Sequence, residues 1–222
     1  GYSKGYSVLD VIGASGVVAS ASTLWDIRGP SGTVSKLDLT TNTVALSVAV
    51  GPQPCSAQTG LGSLWVSLCG EASVAQVDAT KGALTSVIPK APHGTRRATA
   101  SVVGSVWLIA DAKGTLLRVD AISRKPVAEV YLPAGASLVV EGADALWTTG
   151  GEDNAVTRID PHTNLIVETI KVGKQPGSIA VGEDAVWVLN RGDHSVSRID
   201  PKTNRVTFPR ANVEQAIKDA PS

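Results

Sequence analysis

The sequence contains few charged residues, few aromatic residues and no methionine. Charged residues make up 18% of the 222 positions and aromatic residues 4%, whereas hydrophobic residues reach 43%. This balance excludes an intrinsically disordered chain, which needs high charge and low hydrophobicity. The absence of methionine leads us to expect a processed or excised form of the protein.

The charge distribution shows no excess of either sign and no long basic run. Twenty basic residues balance twenty acidic ones, and the longest basic run is the pair Arg96-Arg97. We therefore expect no nucleic-acid partner, because such proteins carry a clustered positive surface. No stretch approaches the roughly 18 consecutive apolar residues of a membrane span, so we expect no membrane insertion of this segment.

Two residue types repeat in the same register along the whole chain. The five tryptophans are spaced 40, 42, 40 and 40 residues apart, and five aspartates repeat these spacings 13 residues further on. The tryptophans are Trp25, Trp65, Trp107, Trp147 and Trp187, and the aspartates are Asp38, Asp78, Asp120, Asp160 and Asp200. A repeat of about 40 residues, made of short strands and turns, is typical of a β-propeller blade.

Each repeat predicts four strands, which we call a, b, c and d. Strand b carries the tryptophan, strand c ends at the aspartate, and the aspartate opens the c–d turn by accepting hydrogen bonds from backbone amides. In the fourth and fifth repeats the turn reads Asp-Pro-x-Thr-Asn. We therefore predict an all-β fold, a β-propeller of five four-stranded blades, in which these aspartates are structural.

The repeat motifs resemble those of the bacterial YVTN-type and virginiamycin B lyase-like propellers. The motifs are Val172-Gly173-Lys174-Gln175-Pro176, Val186-Trp187-Val188 and Arg198-Ile199-Asp200-Pro201-Lys202-Thr203-Asn204. The resemblance implies a ligand site on the face formed by the d–a and b–c loops. Members of the family often have seven blades, so an excised part of a larger propeller is an open alternative.

The ends of the chain offer two candidates for the last d strand. Tyr6 to Ile12 is predicted to complete the fifth blade and close the ring, which gives a propeller over 1–204 and a tail over 205–222. A short helix from Val213 to Lys218 is predicted in that tail. Arg205 to Phe208 also has the pattern of a d strand, which leaves one candidate more than the ring needs.

The two cysteines lie seven residues on either side of Gly62, in the second a–b hairpin. Cross-strand neighbours can come within disulfide distance. We predict a disulfide between Cys55 and Cys69, with a pair of buried free thiols as the alternative. A disulfide favours an extracellular or bacterial periplasmic location.

Candidate binding residues lie where the repeat is broken. The loop before the third blade is two residues longer than its counterparts and contains His93, Arg96 and Arg97. Asp26 stands where other blades are mostly apolar, and Arg28 follows two residues later on the same strand face. We predict that these five residues bind an anionic ligand, with a solvated loop and an internal ion pair as the alternatives.

Three functions remain open at this point. The favoured one is a monomeric, non-catalytic binding module without a cofactor, whose partner is an anionic small molecule or a protein. The family resemblance implies a metal-assisted lyase or hydrolase as the alternative, with His93 as base and Glu71 or Asp153 as a ligand of Mg²⁺ or Ca²⁺. The third is a structural or assembly role, which a large exposed apolar face would indicate.

Overall fold

The computed structural model describes residues 16–19, 23–71, 73–88, 97–111, 113–150, 152–182 and 184–212, with the backbone alone for 97–101, 137 and 208–212. These residues form five antiparallel sheets of four strands each, which confirms the predicted all-β fold and its five blades. Among these residues there is no helix with the length and hydrophobicity needed to cross a membrane. The chain divides into two compact units, residues 1–98 and 99–222.

The first unit contains blades 1 and 2. Blade 1 consists of β1 (Gly16–Ala19), β2 (Leu24–Arg28), β3 (Thr33–Asp38) and β4 (Thr43–Ala49). Blade 2 consists of β5 (Pro54–Gly60), β6 (Ser63–Leu68), β7 (Ser73–Asp78) and β8 (Ala83–Ile88). In both blades the strands pair in the order of the sequence.

Blades 3, 4 and 5 follow in the second unit, apart from the first two residues of β9. Blade 3 consists of β9 (Arg97–Val102), β10 (Ser105–Ile109), β11 (Thr115–Asp120) and β12 (Pro126–Tyr131). Blade 4 consists of β13 (Ala136–Gly142), β14 (Ala145–Gly150), β15 (Ala155–Asp160) and β16 (Leu165–Lys171). Blade 5 consists of β17 (Pro176–Gly182), β18 (Ala185–Asn190), β19 (Ser195–Asp200) and β20 (Arg205–Asn212).

The last strand corrects the predicted boundary at residue 204. Residues 205–212 form β20, which pairs with β19 and supplies the fourth strand of blade 5. The second d-strand candidate therefore occupies this position, because its backbone groups complete the hydrogen bonding of strand c. The predicted place of Tyr6 to Ile12, beside strand c of blade 5, is therefore taken by β20. Tyr6 to Ile12 and Val213 to Lys218 themselves lie outside the described residues, so closure of the ring and the short helix stay predictions.

The c–d turns confirm the predicted capping by aspartate. In each blade a backbone amide two or three residues further on donates to the Oδ1 of the aspartate, and the shortest of these bonds measures 2.6–2.8 Å. A residue with positive φ closes each turn, and Asn164 and Asn204 take this role at 62° and 57°. Asparagine is suited to this conformation because its short side chain tolerates the left-handed region.

Strand b of one blade packs against the next blade in the sequence. In the first unit, Trp25 and Ile27 of blade 1 share a core with Leu64 and Val66 of blade 2. The second unit repeats this arrangement, because Trp147 of blade 4 shares a core with blade 5. An interior strand that is covered on both faces is apolar throughout, and this explains why the tryptophan position recurs in every repeat.

The cationic residue two positions before the aspartate also links adjacent blades. Arg118 of blade 3 donates to the carbonyl of Pro161 and to Oδ1 of Asn164, at 3.0 and 2.9 Å, in the c–d turn of blade 4. In the first unit Lys36 donates to the carbonyl of Ala79, at 3.3 Å. These cations therefore bond to the turn of the next blade.

A disulfide joins Cys55 and Cys69, as predicted, and their Cα atoms lie 5.9 Å apart. The two residues are not direct cross-strand partners. Pro54 pairs with Leu68 and Ser56 with Ser67, so that Cys55 is the extra residue of a β-bulge. The bulge shifts the register by one residue and brings Cys55 next to Cys69.

Candidate functional site

Asp26 and Arg28 form an ion pair on strand β2. Arg28 Nε lies 2.7 Å from Asp26 Oδ2, and the Asp26 side chain is fully buried while that of Arg28 is 27% exposed. The structure therefore shows the internal pair that was one of the two alternatives. A buried carboxylate needs such a partner, because water no longer solvates it.

The second carboxylate oxygen of Asp26 has no hydrogen-bond partner among the described residues. Asp26 lies opposite Val17 on β1 and Ser35 on β3. The hydroxyl of Ser35 is hydrogen-bonded to that of Ser47 at 2.8 Å. Asp26, Ser35 and Ser47 thus form a row of polar side chains across the sheet of blade 1. The ligand-binding role of Asp26 and Arg28 stays a prediction.

The other three predicted binding residues cannot be placed in a site. His93 and Arg96 lie outside the described residues, and Arg97 is the first residue of β9, where only the backbone is described. Their proposed contribution to anion binding stays a prediction.

The b–c turns hold the acidic residues considered as metal ligands. Glu71 and Asp153 are both exposed, and the backbone carbonyl of Asp153 accepts a hydrogen bond from Lys171 Nζ at 2.8 Å. No three His, Cys, Asp or Glu side chains of the described residues are grouped so that they could hold a metal ion. Within this part of the chain, therefore, neither acidic residue belongs to a preformed set of metal ligands.

A polar cavity of about 330 Å³ lies between blades 4 and 5, on the side of the b–c turns and the d–a loop. It is lined by Glu152, Asn154, Lys174, Gln175 and Gly192. Glu152 and Lys174 are exposed and supply one negative and one positive charge to its rim. The cavity can therefore offer a small ligand a cationic hydrogen-bond donor, Lys174, and an anionic hydrogen-bond acceptor, Glu152.

Side-chain hydrogen bonds hold the loop that forms this cavity. The amide of Gln175 donates to Oδ1 of Asn154 at 2.8 Å, and that of Lys174 donates to Oδ2 of Asp193 at 3.0 Å. Asp193 in turn accepts a hydrogen bond from Ser195 at 2.7 Å. These hydrogen bonds fix the loop residues before a ligand arrives. Ligand binding therefore costs less conformational entropy.

The first unit has a related cavity between blades 1 and 2, of about 470 Å³. Pro30 and Pro52 line it at the repeat positions that Glu152 and Lys174 hold between blades 4 and 5. Gln53 matches Gln175, and both have a positive φ, 50° and 51°. Both cavities thus lie at the same place in the repeat, and the one between blades 4 and 5 differs by its two charged residues.

Lys174 and Gln175 were part of a family motif in the sequence and were not predicted as site residues. The signal that could have identified Lys174 is the comparison with Pro52, since the two loops otherwise follow the same pattern. Asn154 gave no signal, because asparagine is common in turns for conformational reasons alone.

The sequence matches no protein-family model and no curated protein. Among solved structures, a streptogramin B lyase superposes with a TM-score of 0.74 at 22% identity, over 92% of this chain and 70% of that one. Virginiamycin B lyase from Staphylococcus aureus gives 0.72 at 20% identity, over 89% and 70%. Hydrazine synthase from Kuenenia stuttgartiensis gives 0.68 at 13%, over 92% and 67%.

Neighbours of such different names share the fold with this chain and therefore do not assign its function. The superposition does test the resemblance seen in the blade motifs. The chain has the fold of the virginiamycin B lyase-like β-propellers, as its sequence predicted.

Proposed function

We propose that this chain is a secreted or periplasmic, non-catalytic binding module that recognises a small anionic ligand through its d–a and b–c loops. The observation that carries the proposal is the polar cavity between blades 4 and 5, with Lys174 on its rim. The disulfide of blade 2 is compatible with an oxidising compartment. A protein partner with an acidic side chain would use the same chemistry.

The roles of the cavity residues follow from their chemistry. Lys174 pairs with the anionic group of the ligand. The side-chain amides of Asn154 and Gln175 supply hydrogen bonds from neutral groups. Glu152 opposes a second anionic group, so the site favours a ligand with a single anionic group and a donor such as a hydroxyl or an amine. Arg96 and Arg97 belong to another d–a loop of the chain, and we propose that their two cations bind acidic partners there.

Isothermal titration calorimetry tests this proposal with acetate, lactate, glycine, phosphate and citrate as probes. Lys174→Ala is expected to weaken binding by about tenfold, because a hydrogen-bonded ion pair contributes about 1.5 kcal/mol or more. Glu152→Gln is expected to improve the binding of citrate. The matched control is Lys202→Ala, which removes an exposed lysine from a c–d turn.

Two outcomes would contradict the proposal. One is that none of the probes binds. The other is an equal loss of affinity in Lys174→Ala and Lys202→Ala, since this would indicate diffuse attraction by net charge and no defined site. Arg96→Ala/Arg97→Ala is measured beside them, and unchanged binding would remove that loop from the proposal.

The names of the solved neighbours favour a second candidate, a metal-assisted lyase or hydrolase. One neighbour is a catalytically inactive variant of the Staphylococcus aureus lyase with quinupristin. In this chain His93 would act as base, and Glu71 or Asp153 would be a ligand of Mg²⁺ or Ca²⁺. Incubation with quinupristin and Mg²⁺, followed by mass spectrometry, tests this candidate. An unchanged substrate, or the same conversion by His93→Ala, would contradict it.

A further inference from the structure

The cavity between blades 1 and 2 and the one between blades 4 and 5 have the same backbone hydrogen bonds. Asn154 and Gly32 each stand seven residues after the tryptophan of their blade, and the carbonyl of each accepts a hydrogen bond of 2.9 Å from the following d–a loop. Gln175 and Gln53 each stand twelve residues before the next tryptophan, and their carbonyls accept hydrogen bonds of 3.0 Å. Corresponding groups of the two cavities can therefore be compared one by one.

The two cavities differ in the acceptor for the backbone amide of the glutamine. Between blades 4 and 5 the amide of Gln175 donates to Oδ1 of Asn154 at 2.8 Å. Gly32 has no side chain, and no group among the described residues accepts a hydrogen bond from the amide of Gln53. The carboxamide that satisfies this amide in one cavity thus has no counterpart in the other.

Gly51 adds a hydrogen-bond acceptor close to this donor. Gly51, Pro52 and Gln53 line the cavity as consecutive residues, and Pro52 has no N–H. The carbonyl oxygen of Gly51 lies 2.8 Å from the place that a Cβ of Gly32 would take. Nothing in the described part of the chain donates a hydrogen bond to this oxygen. The cavity wall therefore carries one backbone donor and one backbone acceptor that are open to a ligand.

The approach of Gly51 also explains the glycine at position 32. Asn154 has a φ of 51° and Gly32 a φ of 68°, so the same left-handed conformation is compatible with asparagine in the other cavity. The Gly51 oxygen leaves no room for a Cβ at position 32. The chain therefore cannot supply the missing carboxamide from this position without moving the loop.

We propose that the cavity between blades 1 and 2 binds a neutral ligand through a carboxamide group. The oxygen of this group accepts a hydrogen bond from the amide of Gln53, as Oδ1 of Asn154 does from Gln175 in the other cavity. Its N–H donates to the carbonyl of Gly51. All the residues that line the cavity are uncharged, and a carboxylate would place its second oxygen against that of Gly51. The site shares no residue with the cavity that carries the proposed function.

The cavity also has room for substituents on the carboxamide. Pro30 and Pro52 line it with apolar rings. Ala49 stands at the repeat position of Lys171, which donates to the carbonyl of Asp153 at 2.8 Å in blade 4. The volume is about 470 Å³, against about 330 Å³ between blades 4 and 5. A ligand with small apolar groups beside its carboxamide fits such a space.

Nuclear magnetic resonance of the ¹⁵N-labelled 222-residue chain tests this site, because the amide of Gln53 reports on its own hydrogen bond. The probes are acetamide, the larger N-acetylglycinamide, and acetate, which has the shape of acetamide and a negative charge. Both neutral probes are expected to shift the Gln53 amide resonance saturably. Acetate is expected to bind there at least about tenfold more weakly than acetamide, because it has no donor for the Gly51 carbonyl.

A filled cavity provides the second measurement. Ala49→Trp is expected to weaken acetamide binding at Gln53 at least about fivefold, because the indole takes the space of the ligand. The matched control is Ala45→Trp, on the same strand β4, since both alanines are exposed and only Ala49 lines the cavity. The control is expected to keep its affinity within about twofold. The same spectra show whether each variant is folded, and Ala49→Leu replaces Ala49→Trp if that variant is not.

Three results would overturn the proposal. The first is a Gln53 resonance that neither neutral probe shifts. The second is binding of acetate at Gln53 as tight as that of acetamide, which would show that the site does not select a carboxamide. The third is an unchanged affinity in the folded variant with a larger residue at position 49. Loss of acetate binding in Lys174→Ala concerns the proposed function alone, so the two proposals fail separately.

Discussion

Nη1 of Arg158 in blade 4 donates a hydrogen bond of 2.7 Å to Oδ1 of Asn204, in the c–d turn of blade 5. The same nitrogen also donates to the carbonyl of Pro201 at 2.7 Å. Hydrogen bonds from a charged donor are stronger than those between neutral groups. The repeat therefore joins successive blades by polar contacts at the c–d turn as well as by the apolar core.

Arg158→Ala is expected to destabilise the protein by about 2 kcal/mol, because two charge-assisted bonds to the next blade are lost. Arg198→Ala is the matched control. It removes the same cation–π contact with a tryptophan, but its hydrogen bond lies within blade 5. Urea unfolding measures both free energies, and the control is expected to lose about 1 kcal/mol or less. Equal losses would show that the inter-blade bonds contribute nothing.

The tryptophans of blades 4 and 5 form a second matched pair. Both donate from Nε1 to a glycine carbonyl, at 3.0 Å for Trp147 and 3.3 Å for Trp187. Trp147→Ala is expected to cost about 3–5 kcal/mol, since it leaves a cavity in a closed core. Trp187→Ala is expected to cost about half as much, because its ring is already partly in contact with water. Chemical denaturation separates the two, and the reverse order would contradict the burial seen here.

Removal of the disulfide tests its contribution to stability. Cys55 and Cys69 are 14 residues apart, and a crosslink over such a loop stabilises a protein by about 3 kcal/mol through the entropy of the unfolded chain. Cys55→Ala/Cys69→Ala is expected to lose this amount in urea unfolding. A reducing agent should lower the midpoint of the native protein and leave that of the variant unchanged. A native midpoint that does not respond to reduction would contradict the prediction.

The turn aspartates make the stability depend on pH in acid. Hydrogen bonds from backbone amides, that of His162 first, hold the pKa of Asp160 below its usual value of 3.8. The pKa values of Asp38, Asp78, Asp120 and Asp200 are lowered by the same cause. A lowered native pKa stabilises the fold above the unfolded value, and this contribution is lost as the pH falls through the native value.

Asp160→Asn tests this linkage, because asparagine can accept the same hydrogen bonds but does not titrate. The stability difference between native protein and variant is expected to be largest above pH 3.8 and to shrink as the pH falls below it. Urea midpoints measured from about pH 2 to 6 follow the change. Added salt should alter it little, since the largest cause is a backbone hydrogen bond and the charge of His162 contributes least. A difference that does not vary with pH would contradict the prediction.

Much of the candidate site could not be predicted from the sequence. Lys174 and Glu152 are 22 residues apart, and each stands at an ordinary turn or loop position of its repeat. The packing of blade 4 on blade 5 brings both to the same cavity. The charged pair Asp26 and Arg28, in contrast, was visible because a strand places residues two apart on the same side.

The sequence alone determined the blades of this protein, their number among these residues and their turn chemistry. A period of about 40 residues with Trp and Asp in constant register is set by local hydrogen bonding and strand alternation, which are properties of a single repeat. The tertiary structure decided that residues 205–212 supply the last strand of blade 5, which cavity is charged, and that Trp187 stays exposed. Those properties depend on which blades are in contact. A motif that is the same in every repeat does not identify the blade that packs beside it.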